Sequence, residues 1–190
     1  MMDLWPGECA LDDRIYSIEE WLPLQTDRGS DSLEKDLMDS SFVPPPDADS
    51  YHAVLKRGAE RSIEQALLGL CHATDAYDPL AFLSLCCADA QMDFGARYCG
   101  PAEGFFLSIV EARGGTKMTR HKLGKVEIDF SEDFLTAKSL AVVLADVIRK
   151  DGAVTRRRFV HGEYRDVWCF RDNSWLLQRR NYCQVSESQI

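Results

Sequence analysis

The spacing of apolar residues along the chain changes once, from a helical period to an extended one. Before the change, apolar side chains three and four positions apart predict an amphipathic helix over Ala59–Asp75. Asp78-Pro79 is typical of an N-cap with proline in the first turn, and it predicts a second helix that continues to Leu85. A strand is predicted over Ala90–Tyr98, and a third helix between Gly100-Pro101 and Gly114-Gly115.

After the change, long segments of extended pattern predict four strands joined by short polar turns. The strands are expected over Met118–Phe130, Leu135–Ile148, Val154–Phe170 and Trp175–Val185. Three helices followed by hairpin-connected strands predict an α+β fold. We expect a cone-shaped α+β barrel, in which the helices pack on a strongly curved antiparallel sheet and enclose a ligand pocket.

The first 55 residues differ from the rest of the chain in their charge. They hold 13 acidic and 3 basic residues, whereas residues 56–190 hold 18 acidic and 19 basic residues. The run Pro44-Pro45-Pro46 predicts an extended linker near the end of this segment. We therefore expect an acidic N-terminal extension over 1–55, which docks on the main domain or on a second subunit, and one domain over 56–190.

Composition narrows the classes of partner and site. A nearly neutral body favours neither nucleic acid nor anionic lipid, since both bind clustered basic surfaces. The chain starts without a signal-peptide pattern and has no apolar run long enough to cross a bilayer, so we expect a cytoplasmic protein without a membrane partner. Seven cysteines without a CxxC pair predict reduced thiols, with neither a disulfide framework nor a metal site.

Nucleotide-binding and hydrolase motifs such as GxGxxG and GxSxG are absent, which leaves a few titratable residues as candidates. His121 is the most informative of them. It is out of phase with Val126, Ile128 and Phe130 of its predicted strand, and a bulge near Gly124 would restore the phase and turn His121 toward the core. A surface histidine on an unbulged strand is the alternative.

Two aspartates and five aromatic residues complete the candidates. Asp75 lies at the end of the first helix beside its apolar stripe, where a carboxylate is either solvated or functional. Asp146 interrupts an apolar strand, although the following Arg149-Lys150 is equally consistent with a strand that emerges into solvent. Pocket lining and core packing explain the aromatic residues equally well; these are Tyr98, Phe105, Tyr164, Trp168 and Tyr182.

Four short motifs carry a resemblance to a known family. They are His72–Asp78, Thr119–His121, Gly162–Asp166 and Arg171–Trp175. Together with the order of helices and strands, they resemble the SnoaL-like branch of the nuclear transport factor 2 superfamily over residues 58–185. The resemblance implies the cone fold, a homodimer or higher homo-oligomer, and a dehydratase, isomerase or cyclase that needs no cofactor and no metal.

The resemblance also implies roles for particular residues. By motif position, the histidine and aspartate that such enzymes use as their central pair match His121 and Asp75. An acidic or polar position falls near Asp146 and an arginine near Arg171, whereas the tyrosine that often precedes the aspartate is absent here. The implied substrate is small, hydrophobic, and polycyclic or aromatic. The alternative is a non-catalytic ligand-binding protein, or a structural subunit like the small subunit of ring-hydroxylating dioxygenases, which has the same fold.

Overall fold

The computed structural model describes residues 48–190, so the predictions for the acidic extension and the proline linker lie outside the described residues. The described residues form three α-helices: α1 (Ala48–Ala76), α2 (Pro79–Leu83) and α3 (Ala102–Ala112). Residues Gly58–Ile190 belong to one compact unit, and the first part of α1, up to Arg57, belongs to another. No helix in the described part of the chain is long and apolar enough to cross a membrane.

Helix α1 begins earlier than the sequence predicts. It starts at Ala48 and continues through the expected boundary after residue 55. Residues 52–58 are all exposed, so this part of the helix has no apolar stripe by which periodicity would detect it. The predicted stripe itself is confirmed, because its members are all buried: Ile63, Ala66, Leu67, Leu70 and Cys71.

Helix α2 is shorter than predicted, and its start is as predicted. The Asp78 side chain accepts a hydrogen bond from the Ala81 backbone N–H at 2.9 Å, which confirms the N-cap. The helix ends at Leu83 rather than Leu85, and the Ser84 hydroxyl donates to the Ala81 carbonyl at 2.8 Å. This bond satisfies a carbonyl of the last turn and lets the chain leave the helix.

Six strands form one curved, unclosed sheet in the order β2-β1-β6-β5-β4-β3. The predicted meander of four strands is confirmed, with antiparallel pairing from β3 to β6. The sheet is mixed rather than purely antiparallel, because β1 pairs in parallel with β6. The strands are β1 (Cys86–Asp93), β2 (Cys99–Pro101), β3 (Thr116–Phe130), β4 (Thr136–Asp151), β5 (Val154–Arg171) and β6 (Ser174–Gln189).

One face of the sheet, the inner face, packs against the helices. On β4 and β5 it carries alternate residues, including Ala141, Val143 and Tyr164, which join the stripe of α1 in the main hydrophobic core. We call the opposite side the outer face. Since side chains alternate between the two faces, the strand register decides which candidate residues meet beneath the helices.

Candidate active site

A bulge in β3 sets the direction of His121. Residues Met118–Leu123 pair in regular register with β4, and the pairing resumes at Val126 one residue out of step. The extra residue at Gly124-Lys125 brings His121 to the same inner face as Val126. A Cβ on Gly124 would lie 3.3 Å from the side chain of Val142, so the bulge favours glycine. The predicted bulge is therefore confirmed.

Asp75 lies in the last turn of α1, where the helix ends sharply. Tyr77 adopts a left-handed backbone with φ of 56°, and the N–H of Asp78 donates to the carbonyl of Ala73 at 2.9 Å. This bond pattern is that of a Schellman ending. The Tyr77 hydroxyl lies 3.5 Å from Oγ1 of Thr119 on β3, so the helix end lies against the strand that carries the histidine.

Asp75 and His121 make two hydrogen bonds with each other. Nδ1 of the imidazole lies 2.6 Å from Oδ1 of the carboxylate, and the backbone N–H of His121 donates to Oδ2 at 2.8 Å. Strand β3 is the edge of the sheet, which leaves N–H groups without a strand partner, and Asp75 accepts this one. The side chains of His121 and Asp75 are only 13% and 18% exposed. A carboxylate that accepts the Nδ1 proton leaves Nε2 as the basic nitrogen.

A second pair, formed by the Asp166 carboxylate and the Arg180 guanidinium, is buried more deeply on the inner face. Nε and Nη2 of Arg180 donate to the two carboxylate oxygens of Asp166 at 2.9 and 2.7 Å, and both side chains are buried. Burial raises the pKa of the Asp166 carboxyl, and the Arg180 guanidinium opposes that shift. The guanidinium carbon also lies 3.9 Å from the centre of the Tyr164 ring, a cation–π contact between two buried side chains. These contacts fix the orientation of Arg180.

The thiol of Cys71 lies within electrostatic range of both carboxylates. Burial raises its pKa to about 11, the charge of Arg180 opposes this, and Asp75 and Asp166 add to it. Since Cys71 is one helical turn before Asp75, the last turns of α1 connect the His121–Asp75 pair with the Arg180–Asp166 pair. At neutral pH this thiol is protonated and is a poor nucleophile.

Four of the five predicted substrate-binding residues form one aromatic cluster. Its centre is Phe94, which the sequence analysis missed and which stacks on Phe105 and Tyr182 with ring centres 4.2 and 5.1 Å apart. Tyr164 meets the edge of Phe94 at 6.4 Å, and Tyr98 packs on Phe105 at 5.7 Å. The cluster adjoins Arg180 through Tyr164, so apolar and charged groups share one region of the inner face.

Trp168, the fifth predicted substrate-binding residue, is part of the core. Its side chain has no exposed surface, and Nε1 donates to Oγ of Ser139 at 2.9 Å. A fully enclosed side chain whose polar atom is already bonded has a complete structural explanation. We therefore correct the prediction and exclude Trp168 from the candidate site.

Asp146 was also predicted as a site residue, and its register shows that this prediction is wrong. Ala145 pairs with His121 on the inner face, so the next residue, Asp146, lies on the outer face. There Nε and Nη2 of Arg157 donate to its carboxylate at 2.9 and 2.6 Å, and this hydrogen bond lowers the pKa of Asp146. Arg157, which binds Asp146 there, has a half-exposed side chain.

Arg171 lies at the wrong end of the sheet for the predicted role. It is exposed at the β5–β6 turn, where it pairs with Ser174. The residue of β5 in the same row as His121 is Val160, which pairs with Ala145. Eleven residues separate Val160 from Arg171, which is about 35 Å of extended strand. Arg180 on β6 is a buried arginine of the inner face, and the sequence analysis did not select it.

No group of three or more His, Cys, Asp or Glu side chains converges on a metal-sized site within residues 48–190. A shallow depression of about 250 Å³ lies on the outer face near β2, remote in register from His121. It is lined by Gln91, Met92, Asp93, Cys99, Gly100, Arg179 and Asn181. The His121–Asp75 pair, the Arg180–Asp166 pair and the aromatic cluster lie on the inner face, opposite to this depression.

Comparisons with solved structures support the fold. A candidate scytalone dehydratase from Novosphingobium aromaticivorans is 18% identical, with a TM-score of 0.60 over 68% of this chain and 85% of that one. A type 3 hexachlorocyclohexane dehydrochlorinase, LinA, from Novosphingobium barchaimii is 15% identical, with a TM-score of 0.62 over 72% and 93%. A candidate aromatic ring hydroxylase from Novosphingobium aromaticivorans is 20% identical, with a TM-score of 0.62 over 70% and 94%. At these identities the similarity shows a common fold.

The family is identified from sequence. Among curated proteins, none matches this chain. The model of the SnoaL-like domain matches residues 57–181, which is most of the chain. This range includes the His121–Asp75 pair and the Arg180–Asp166 pair. The chain therefore belongs to the SnoaL-like domain family, within the nuclear transport factor 2 superfamily.

Proposed function

We propose that this protein is a lyase or isomerase, of the dehydratase or cyclase type, in which His121 transfers a proton and Asp75 orients it. One observation carries the proposal: the doubly hydrogen-bonded His121–Asp75 contact, largely shielded from water on the inner face. Structural relatives that are named as a dehydratase and a dehydrochlorinase support the same reaction class. Both names describe elimination, which begins or ends with a proton transfer.

His121 acts through Nε2. Because Asp75 accepts the Nδ1 proton, Nε2 has the lone pair with which it removes a proton from a carbon next to an electron-withdrawing group. The imidazolium that forms is stabilised by the Asp75 carboxylate at 2.6 Å, as in other His–Asp pairs. The same imidazolium then donates its Nε2 proton to the leaving oxygen, or back to carbon in an isomerisation. The two residues thus supply both halves of the proton transfer without a cofactor.

Arg180 and Tyr164 provide the groups that polarise the substrate. Asp166 engages Nε and Nη2 of Arg180, and neither bond uses Nη1, which can donate to a substrate oxygen that gains negative charge. Burial strongly raises the pKa of Tyr164, so its hydroxyl stays protonated and serves as a donor rather than a base. The raised pKa of Cys71 argues against a covalent thiol mechanism in the same region.

The aromatic cluster defines the class of substrate. Phe94, Phe105 and Tyr182 present stacked rings beside Tyr164, a surface suited to a flat apolar ligand. Asp166 and Arg180 are the buried charged residues beside them, and Arg97 lies 6.0 Å from the centre of the Tyr182 ring. We therefore propose a small hydrophobic substrate, polycyclic or aromatic, with a carbonyl or hydroxyl group that reaches Arg180 while the acidic carbon lies at His121.

A two-stage experiment tests the proposal. Hydroxylated polyketide, steroid and terpenoid compounds are first screened by thermal shift, because a ligand that binds only the folded chain raises its unfolding temperature. Compounds that bind are then incubated with the protein in D2O, and turnover and deuterium incorporation are followed by mass spectrometry. We expect His121→Ala and Asp75→Asn to lower turnover by about 10²- to 10⁴-fold, the usual contribution of a positioned acid–base group.

The matched control is Asp146→Asn, which removes a carboxylate on the outer face and leaves the proposed site intact. It is expected to retain wild-type turnover. Turnover that is equal in the wild type, His121→Ala and Asp75→Asn would contradict the mechanism. A ligand that raises the unfolding temperature and is never converted would instead favour the non-catalytic, ligand-binding alternative.

A further inference from the structure

Two cysteines that are far apart in sequence meet in the folded chain. Cys87 on β1 and Cys169 on β5 are separated by 82 residues, and their sulfur atoms lie 2.6 Å apart. Strand β6 lies between the two strands in the sheet, and Cys169 pairs with Leu176 on it. The Sγ of Cys87 lies 4.0 Å from the carbonyl of that same Leu176. The two side chains thus reach toward each other across β6.

The neighbouring cysteine does not share this arrangement. Cys86 Sγ donates to the carbonyl of Phe82 at 3.4 Å, whereas Cys87 Sγ contacts Cys169. Adjacent residues of a strand face opposite sides, so only one of the two cysteines can meet Cys169. The pairing of β1 with β6 is irregular between Cys86 and Gln91, which explains why both cysteines are nevertheless buried.

No sequence pattern predicts this contact. The absence of a CxxC pair and the adjacency of Cys86 and Cys87 argue for unlinked thiols, and the strand order that unites β1 with β5 cannot be read from spacing. In the structure, the sulfur of Cys87 is much closer to that of Cys169 than two sulfur atoms in ordinary van der Waals contact. Two thiols held in this way are positioned for a bond between them.

We propose that Cys87 and Cys169 are a modification site, at which an oxidant of the peroxide class forms an intramolecular disulfide. In the first step one sulfur attacks the peroxide, an S–O bond forms, the O–O bond breaks, and hydroxide leaves and takes the thiol proton as water. In the second step the other sulfur attacks the sulfenic sulfur, the S–S bond forms and the S–O bond breaks. A second water leaves with the remaining thiol proton. Two thiols are oxidised and one peroxide is reduced.

Burial governs the speed of this reaction. Cys87 and Cys169 are 4% and 5% exposed, so a small oxidant has better access than a bulky disulfide such as oxidised glutathione. Burial raises the pKa of Cys87 to about 12, and the contact with Cys169 adds to the shift. Since the thiolate is the reactive form, oxidation is expected to be slow near neutrality and to accelerate as the pH rises toward 12. The same burial protects the disulfide from thiol reductants.

The test uses the full chain and counts its thiols. The folded protein is treated with hydrogen peroxide, the excess is removed, and the remaining thiols are alkylated after denaturation without a reductant. The chain has seven cysteines, so intact-mass spectrometry is expected to find seven alkyl groups before oxidation and at most five after it, because exposed Cys99 can also be oxidised. A digest without reductant is expected to contain the segment with Cys87 linked to the segment with Cys169.

Cysteine-to-serine variants identify which two cysteines form the disulfide. Cys87→Ser and Cys169→Ser are expected to abolish the link, whereas the matched control Cys86→Ser retains it. If either variant fails to fold, the linked peptide from the Cys86→Ser protein alone makes the assignment. Seven alkyl groups after oxidation, added oxygen without a link, or a link that persists in Cys87→Ser would each overturn the proposal.

Thermal unfolding gives an independent measurement. A disulfide that closes a loop of 82 residues restricts the unfolded chain, so the oxidised wild type is expected to unfold about 10 °C above the reduced protein. The Cys86→Ser control is expected to show the same rise, and Cys87→Ser none. An oxidised wild type that carries the link and unfolds at the temperature of the reduced protein would contradict the stabilising part of the proposal.

Discussion

Two aspartate–arginine pairs of nearly identical geometry lie on opposite faces of the same sheet. Arg180 binds both oxygens of Asp166 at 2.9 and 2.7 Å, and Arg157 binds both oxygens of Asp146 at 2.9 and 2.6 Å. The side chains of the first pair are 4% and 0% exposed, and those of the second are 48% and 16% exposed. The pairs therefore differ in solvation and not in contact distance.

Solvation decides what each pair does. On the outer face, water and salt screen the charges, so the Asp146–Arg157 contact contributes little to stability. On the inner face, the desolvation of two charges is offset only by their mutual bonds, and either partner left alone would be an uncompensated buried charge. Polar groups that are costly to bury lie there beside an aromatic cluster and a shielded His–Asp contact, which supports the proposal that the inner face is the functional one.

Removal of one arginine from each pair gives the largest contrast. We expect Arg180→Met to lower the free energy of unfolding by about 3–5 kcal/mol, because Asp166 then remains buried without a counter-charge. Arg157→Met is expected to leave the unfolding midpoint unchanged. Urea denaturation of both variants measures the difference. Equal stability of the two variants would contradict the idea that burial distinguishes the two pairs. The double variant Arg180→Met/Asp166→Leu removes the unpaired carboxylate as well, and it is expected to recover stability.

A smaller effect is expected from a methyl group added to the inner face. A Cβ on Gly162 would overlap the Tyr182 ring and lie 2.8 Å from the backbone carbonyl oxygen of Cys183, which cannot move as a side chain can. Gly162→Ala is expected to cost roughly 1–3 kcal/mol of stability and to disturb the aromatic cluster. Gly114→Ala, where no atom lies within 4 Å of the added carbon, is the control and should be near neutral. Equal denaturation midpoints would show that this region is loosely packed.

The smallest effect is expected at an exposed aspartate whose side chain accepts a hydrogen bond from the backbone and does not pair with a cation. The Asp78 side chain caps α2 through the Ala81 N–H at 2.9 Å. Asp78→Ala is expected to cost about 1 kcal/mol, and Asp78→Ser should retain most of the cap. Thermal unfolding distinguishes them. Loss of stability in Asp78→Ser as large as in Asp78→Ala would mean that the charge, and not the cap, stabilises this position.

Elements with a local signal were predictable from the sequence. The cap at Asp78 and the hairpins of the meander depend on residues within a few positions of each other, and all were found. The early start of α1 was not, because an exposed helix has no apolar period. The parallel pairing of β1 with β6 was missed as well, since it joins the first strand to the last and leaves no local pattern.

Two bulges show why only part of the site was predictable. In β3, His121 is out of phase with the apolar positions of the strand, and Gly124 indicates a bulge that restores the phase. The inner-face position of His121 therefore followed from the sequence. In β6, alternation from Trp175 and Leu177 selects Arg179 as the inner-face residue. An extra residue at Gln178 shifts the register, and Arg180 takes that position instead. No glycine marks this second bulge, so strand alternation alone does not identify Arg180 as an inner-face residue.

The central claim is that Asp75 fixes the tautomer of His121, with the proton on Nδ1 and the lone pair on Nε2. Long-range ¹H–¹⁵N NMR spectra of protein labelled at histidine, recorded at a pH where the imidazole is neutral, report the protonation of each ring nitrogen. We expect a protonated Nδ1 and an unprotonated Nε2 for His121, with that preference lost in Asp75→Asn and the spectrum of His161 unchanged. A proton on Nε2 in the wild type, or a tautomer that is insensitive to Asp75→Asn, would contradict it.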